Sequence, residues 1–332
     1  MAKPSTAADT SPAVSKPKAE AKPATAPRAA KKKQSTGFSF RDVPPQVLAC
    51  GIAIAAVFLW SYWPTILELL KTWDKEPDYS HGYLVIPLAL YALWTRKDTM
   101  PEVVSTWHWQ GLILIGASCV LRWVGARFFL GAIDGWSILL WVAGAVWLIG
   151  GWQFLKWALP GVIFLWFMIP MPHQLEHMFR DPLQRVATKA STAVLQCLGQ
   201  SALAEGNIVR MGEEELLIAE ACSGLRIFVA IAVLAFAYIM IVRPVWWERV
   251  VLILAVLPIA MISNVARIVV TGLIYQVTKN EDIRHRWHDY AGFFMIPFAA
   301  ALFAFLLWYL SKLVREVEPE GMSASYRHRA AG

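Results

Sequence analysis

Long apolar runs recur along the chain between short polar segments, many of them near the ~20 residues that an α-helix needs to cross a bilayer. Because the hydrocarbon interior offers no water to backbone groups, each run is expected to satisfy its hydrogen bonds as a helix. The pattern therefore predicts an all-α polytopic membrane protein with about eight transmembrane helices. The predicted spans are residues 47–67, 82–94, 109–124, 136–150, 157–171, 224–242, 247–276 and 292–313.

One sizeable polar segment, residues 172–221, separates the fifth and sixth predicted spans. Apolar residues at helical spacing in 174–198 predict one or two amphipathic helices on the membrane surface, broken near Pro182. Two short stretches of strand-forming residues flank Gly212 and predict a small β-hairpin. We expect this amphipathic-helix and β-hairpin insertion to be extracytoplasmic and to bring the residues after it to the membrane surface.

The two ends of the chain differ from the membrane part, residues 43–316. Residues 1–42 are rich in Ala, Pro, Ser, Thr and Lys, and predict a disordered basic tail. Residues 317–332 form a polar C-terminal tail. Basic residues are concentrated in the N-terminal tail and in alternate loops, so the positive-inside rule predicts a cytoplasmic N-terminus. The same alternation predicts that spans six and eight begin, and span seven ends, on the opposite side.

The composition of the chain excludes an ordinary soluble globular protein. Hydrophobic residues make up 57% of the chain and charged residues only 17%, against about a quarter charged in soluble domains. The net charge of +7 lies largely in the tail and loops, which indicates membrane topology and contact with the lipid bilayer, with no nucleic acid partner. Four cysteines in a chain of this length do not form a disulfide framework.

Cys222 stands where the sixth predicted span begins. Ser223 and Gly224 allow another backbone to approach closely, and the helix that follows directs the positive end of its dipole toward the thiol. A helix N-terminus and a nearby cation, here Arg226 one turn later, both favour the nucleophilic thiolate. The alternative is a small residue that merely packs at the start of a helix.

Arg267 and Asn264 lie near the outer end of the seventh predicted span. Their spacing of i and i+3 puts them on one helix face. An ionisable group at this depth is expensive, so it should face a polar partner or a wet cavity. The alternative for Arg267 is a side chain that extends to lipid phosphate.

The remaining polar candidates also lie at predicted span ends. His288, followed by Asp289, opens the eighth predicted span, and imidazole is the side chain best suited to exchange protons near neutral pH. The alternative is a structural histidine. His81, at the start of the second span, either orients substrate or caps the helix. Glu220 either contacts a basic element of the substrate or belongs to a solvated turn.

A metal site is the weaker interpretation of the remaining histidines. His173 and His177 are four residues apart, which suits a metal on a helix, but no third ligand is evident. We therefore expect no metal and no organic cofactor.

Four short motifs together resemble the exosortase/archaeosortase family, over roughly residues 45–315. They are Y-S-H-G at 79–82, A-C-S-G-L-R at 221–226, N-V-A-R-I at 264–268 and H-D-Y-A-G at 288–292. The histidine at position 288 is similar to the bacterial exosortases, because the archaeal branch has arginine there. The resemblance implies that Cys222 is the nucleophile and that Arg267 and His288 are its catalytic partners.

Members of that family are membrane-embedded cysteine proteases resembling transpeptidases. The resemblance implies membrane-anchored substrate proteins with a C-terminal sorting tag: a short signature such as Pro-Glu-Pro, a transmembrane helix and a basic cluster. It also implies a bacterial inner-membrane location with the active site facing the periplasm. The alternatives are a membrane transporter and an assembly subunit of an exopolysaccharide export system. Against a transporter, the first four predicted spans carry no charged residues at mid-depth, and no inverted repeat is visible.

Overall fold

The computed structural model describes residues 45–101, 108–212, 214–217 and 224–313. At 214–217, 281, 285, 288, 289 and 291 the structure describes the backbone and not the side chains. The predicted tails, residues 1–42 and 317–332, fall outside these ranges, so their predicted disorder stays a prediction.

The described residues form a helical bundle with one small sheet. The α-helices are α1 (Pro45–Lys75), α2 (Gly82–Trp94), α3 (Gly111–Arg127), α4 (Gly131–Phe164), α5 (His173–Cys197), α6 (Leu225–Val242), α7 (Trp246–Val277) and α8 (Glu281–Leu313). The strands are β1 (Ala202–Glu205), β2 (Ile208–Met211) and β3 (Glu214–Leu217).

Five described helices are long and apolar enough to cross a membrane: α1, α4 with its continuation to Met168, α6, α7 and residues 292–313 of α8. The predicted second and third spans form helices of 13 and 17 residues, α2 and α3. The prediction of a polytopic helical membrane protein is therefore confirmed, whereas the count of eight spans stays a prediction.

α4 is not one straight helix. Ser137 Oγ lies 2.8 Å from the Tyr62 hydroxyl, and Trp73 Nε1 donates to the Met168 carbonyl at 2.9 Å. Tyr62 and Trp73 are ~17 Å apart along α1, but a straight helix would separate Ser137 from Met168 by ~47 Å. The chain therefore reverses direction between them. Gly151, with φ 76° and ψ −178°, breaks the helix there, in agreement with two predicted segments at 136–150 and 157–171.

The polar and apolar faces of α5 are reversed relative to those of a helix on the surface of a soluble protein. Its apolar residues Met178, Phe179 and Val186 are exposed. The buried face carries mainly polar side chains: Arg180, Gln184, Thr188, Ser191 and Thr192. This face packs on α7, where Leu195 shares one hydrophobic cluster with Ile268. This reversal is expected beside lipid, because lipid tails offer no hydrogen bonds and a polar group that faces inward can find a partner in the protein.

The predicted break in α5 near Pro182 is wrong. The helix continues through Pro182. A proline removes one backbone hydrogen bond, and the packing of the buried face on α7 outweighs that local loss.

The predicted hairpin around Gly212 is confirmed, and it is part of a larger sheet. β2 and β3 pair antiparallel with Met211 opposite Glu214, and Gly212 has a φ of 64°. β1 adds a third antiparallel strand in the order β1-β2-β3. Val209 and Met211 are buried in the cluster that α5 and α7 share, so the sheet is fixed to the end of α7.

α8 begins earlier than predicted. Its first residue is Glu281, so His288 lies about two turns inside the helix and does not open it. The charged residues before Gly292 made this part of the sequence resemble a loop. By contrast, α6 and α7 begin and end within one residue of the predicted limits.

Candidate active site

The beginning of α6 lies directly against α7. Gly224 caps α6 with a φ of 82°, a conformation that favours glycine. A Cβ at Gly224 would lie 3.0 Å from Nδ2 of Asn264, so the backbone of one helix contacts the side chain of the other. Cys222 is two residues before this contact.

A second close contact joins α7 to α8. A Cβ at Gly292 would lie 3.5 Å from Nη2 of Arg267, so the guanidinium lies against the backbone of α8. Position 288 is four residues before Gly292 and therefore shares its helix face. The start of α6, the Asn264–Arg267 face of α7 and the Gly292 face of α8 thus meet at one end of the bundle, which we call the Gly224 end.

Arg267 is inside the protein. Its exposed fraction is 6%, and that of Asn264 is 1%. Ser263 and Thr271 on α7 are also buried, and the polar face of α5 packs on the same helix. A side chain that reached out to lipid phosphate would be exposed, so this alternative for Arg267 is wrong. The burial instead agrees with the predicted polar interior.

A second buried polar cluster lies at the Gly224 end, where Arg180 of α5 forms ion pairs with Glu176 and with Asp78, the latter at 3.6 Å. Burial raises the pKa of Asp78, and the positive charges of Arg180 and Arg226 act against that rise. Burial, and then the nearby Glu176 carboxylate, raise the pKa of Tyr79 to about 12. The Tyr79 hydroxyl accepts a hydrogen bond from the Met171 amide.

His81 belongs to this second cluster. Its Nε2 lies 2.8 Å from the Phe167 carbonyl oxygen. Burial lowers the pKa of His81, and the charge of Arg226 lowers it further. Arg226 therefore acts electrostatically on His81 and Asp78, while Arg267 contacts α8 at Gly292. The two arginines of the predicted site have different neighbours.

The depressed pKa of His81 predicts a pH-dependent stability. An unfolded histidine has a pKa near 6.5, so below that pH the unfolded chain binds a proton that the folded chain resists. Stability should therefore fall as the pH drops below about 6.5. We expect His81→Asn to flatten this fall, measured as the thermal unfolding midpoint in detergent between pH 7.5 and 5. An unchanged slope in the variant would contradict the assignment.

Gly224→Ala tests the contact between α6 and α7. The new methyl group would meet Asn264 and would also occupy a left-handed backbone conformation, which alone costs ~1–2 kcal/mol. Gly199→Ala is the matched control, because Gly199 has a φ of 83° and no atom within 4 Å of the added Cβ. We expect Gly224→Ala to lower the unfolding midpoint and the activity well beyond the control. Equal effects of the two variants would show that only backbone strain matters.

Not all of the predicted site lies within the described residues. Cys222, Ser223 and Glu220 are outside them. His288 and Asp289 are described as backbone in α8, and their side chains are outside the description. Their roles stay predictions.

Sequence reasoning missed the second cluster and the polar face of α5. Asp78 and Tyr79 adjoin the Y-S-H-G motif, and Glu176 and Arg180 have the i, i+4 spacing of a helix ion pair. These signals were present in the sequence, but no local pattern indicates that residues 78 and 180 are in contact.

The two histidines of α5 contact each other. Their Nε2 atoms are 3.1 Å apart, and Nδ1 of His177 lies 3.6 Å from a carboxylate oxygen of Asp181. Among the described residues, no group of three or more His, Cys, Asp or Glu side chains is arranged to hold a metal ion.

Comparison with known proteins gives one family. Residues 73–307 match the model of the transmembrane exosortases. The match covers α6, α7, the Gly292 contact and the second cluster. No curated protein and no solved structure matches the chain significantly.

Proposed function

Because the chain belongs to the transmembrane exosortase family, we propose that it is a membrane-embedded cysteine protease or transpeptidase. Its substrates are exported proteins that carry a PEP-CTERM-like C-terminal sorting signal. One observation carries the proposal: Gly224 of α6 lies against Asn264, and Arg267 lies against Gly292 of α8. These contacts support the meeting of Cys222, Arg267 and His288 at one place.

The proposed reaction is acyl transfer. The Cys222 thiolate attacks the carbonyl carbon of the scissile peptide bond, which forms a C–S bond and a tetrahedral oxyanion. As the oxyanion collapses, the C–N bond breaks and His288 gives its proton to the leaving amine. The product is a thioester on Cys222. An amine, a lipid hydroxyl or water then attacks the thioester carbonyl and gives its proton to the now neutral His288. The C–S bond breaks, which restores the Cys222 thiolate and the protonated His288.

Arg267 supplies the positive charge that this reaction requires. It stabilises either the thiolate or the oxyanion, both of which are anions at the same place. A buried guanidinium is little screened by water, so its effect on a nearby anion is larger than at an exposed position. The N-terminal end of α6 adds a positive dipole on the same side.

The neighbouring residues have supporting roles in this proposal. Asn264 and Gly224 hold α6 on α7, Ser223 leaves room beside the nucleophile, and Asp289 orients His288. Arg226 contributes to the positive field.

His81 and Glu220 contact the sorting signal of the substrate in this proposal. The site faces the periplasm of a bacterial inner membrane, and the N-terminus is cytoplasmic. Support for this orientation comes from the cations at the other end of the bundle, including Arg96, Lys156 and Arg243.

Trapping the covalent intermediate tests the function. Membranes containing the protein are incubated with a tagged substrate that bears a sorting signal, quenched in acid and digested for mass spectrometry. We expect the tagged fragment on the peptide that contains Cys222. Cleaved substrate with no adduct on that peptide, or an adduct on another cysteine, would contradict the proposal.

A further inference from the structure

A cavity of about 460 Å³ lies at the end of the bundle opposite the candidate active site. α6 connects the two ends, with Gly224 at one and Arg243 at the other, ~29 Å apart along the helix. We call this cavity the Arg243 groove. Its lining consists of basic residues from several parts of the chain and apolar residues of α4 and α6.

Four of these lining residues are cations, and none is acidic. They come from separate parts of the chain: Arg96 follows α2, Lys156 lies in the second half of α4, Arg243 ends α6 and Arg249 is in the first turn of α7. Burial lowers the pKa of Arg96, and the positive charge of Arg243 lowers it further. Bringing like charges together costs free energy, and an anion in the groove would offset that cost.

Three of these four residues have defined contacts with neighbouring residues. The Arg96 carbonyl accepts a hydrogen bond from Trp157 Nε1 at 3.1 Å, and Arg249 Nε donates to the Pro244 carbonyl at 2.7 Å. The Lys156 ammonium lies 5.2 Å from the centre of the Trp152 ring. The contact between Arg96 and Trp157 is tertiary and fixes the Arg96 backbone on α4, whereas the other two are local contacts that orient the exposed side chains of Arg249 and Lys156.

The rest of the lining is apolar and continues from the cations toward the middle of the bundle. Leu159 and Ile163 lie one and two turns beyond Lys156 on α4, with exposed fractions of 40% and 51%. Phe236 and Ile239 line the same groove from α6. A cationic end joined to an open apolar wall is complementary to a lipid with an anionic headgroup.

We propose that the Arg243 groove binds an anionic phospholipid of the cytoplasmic leaflet. Its phosphate lies among Arg96, Lys156, Arg243 and Arg249, and an acyl chain lies along Leu159 and Ile163. Basic pockets between membrane helices on the cytoplasmic side are suited to such headgroups. A free phosphate ion would use the cations but would gain nothing from the apolar wall. The choice of leaflet rests on the proposed orientation of the chain, but the proposal does not depend on the proposed cysteine chemistry.

The test compares lipids on the purified full-length chain in neutral detergent. Binding of phosphatidylglycerol and of phosphatidylcholine is measured by native mass spectrometry, together with the thermal unfolding midpoint. We expect retained phosphatidylglycerol and a raised midpoint with that lipid alone. The double variant Lys156→Gln/Arg243→Gln should bind phosphatidylglycerol about thirtyfold more weakly, since each cation near a lipid surface contributes about a fivefold change.

The matched control is Lys71→Gln/Arg185→Gln, which removes one Lys and one Arg from exposed positions outside the groove. It should keep the affinity for phosphatidylglycerol. Equal loss in both double variants would overturn the proposal in favour of nonspecific charge attraction. Equal stabilisation by inorganic phosphate would overturn it in favour of an ion site. Should the groove variant fail to fold, equal retention of the two lipids by the unmodified protein would still overturn the proposal.

Discussion

Replacing Cys222 with Ser should abolish cleavage of the sorting signal while the protein still inserts into the membrane. Serine has nearly the same shape, but its hydroxyl is a far weaker nucleophile than a thiolate at neutral pH. Loss of a catalytic nucleophile typically removes at least about a thousandfold of the rate. The measurement is the cleavage rate of a tagged substrate in membranes, with the amount of inserted protein determined in parallel.

Cys197→Ser is the matched control for this prediction. Cys197 is an exposed free thiol at the end of α5, so it reports any general effect of losing a cysteine. The control should cleave at the normal rate. Full cleavage activity of Cys222→Ser would contradict a cysteine mechanism. A transporter, or an assembly subunit in which Cys222 only packs, would cleave no substrate even with Cys222 in place.

Arg267→Lys should lower the cleavage rate by about a hundredfold to a thousandfold, the range found when one oxyanion donor is lost. Lysine keeps the charge but lacks the planar fork of donors. Because Arg267 is 6% exposed and lies against α8, a shorter and differently shaped cation cannot occupy the same place. The catalytic rate and the unfolding midpoint are measured together, so that a folding defect can be separated from a catalytic one.

Arg185→Lys is the control, because Arg185 is an exposed arginine of α5. It should change neither quantity. If Arg267→Lys retained full activity, Arg267 would have no role in stabilising the thiolate or the oxyanion. If it lowered only the unfolding midpoint, Arg267 would be a structural residue.

The parts predicted correctly from the sequence follow from the cost of polar groups in a membrane. α6 and α7 are long apolar runs with clear ends, so their limits were predicted closely. Asn264 and Arg267 are polar residues inside such a run, which requires them to face a polar interior. Both side chains are buried, because exposing them to lipid would cost free energy. Gly224 was predicted as a point of close approach, and it lies against Asn264.

The errors occurred where tertiary packing, and not the local sequence, determines the structure. The polar face of α5 is buried on α7, and no local pattern shows whether a polar helix face turns toward water or toward a polar neighbour. β1 was missed because Ala202 to Glu205 lacks β-branched residues, and the pairing with β2 forms it. The Asp78–Arg180 ion pair joins residues far apart in the chain, so it has no local signal.

Cross-linking between positions 222 and 288 tests whether the chain brings Cys222 and His288 together at the Gly224 end. The other cysteines, Cys50, Cys119 and Cys197, are first replaced with Ala, and His288→Cys is then added to pair with the native Cys222. A short bifunctional thiol reagent is applied in membranes, and the linked peptides are identified by mass spectrometry. The control pairs Cys222 with Leu313→Cys, ~37 Å farther along α8.

The proposed meeting of Cys222 and His288 predicts a linked peptide for the 222–288 pair and none for the control pair. It is contradicted if both thiols of the 222–288 pair react with a monofunctional reagent and yet no linked peptide forms.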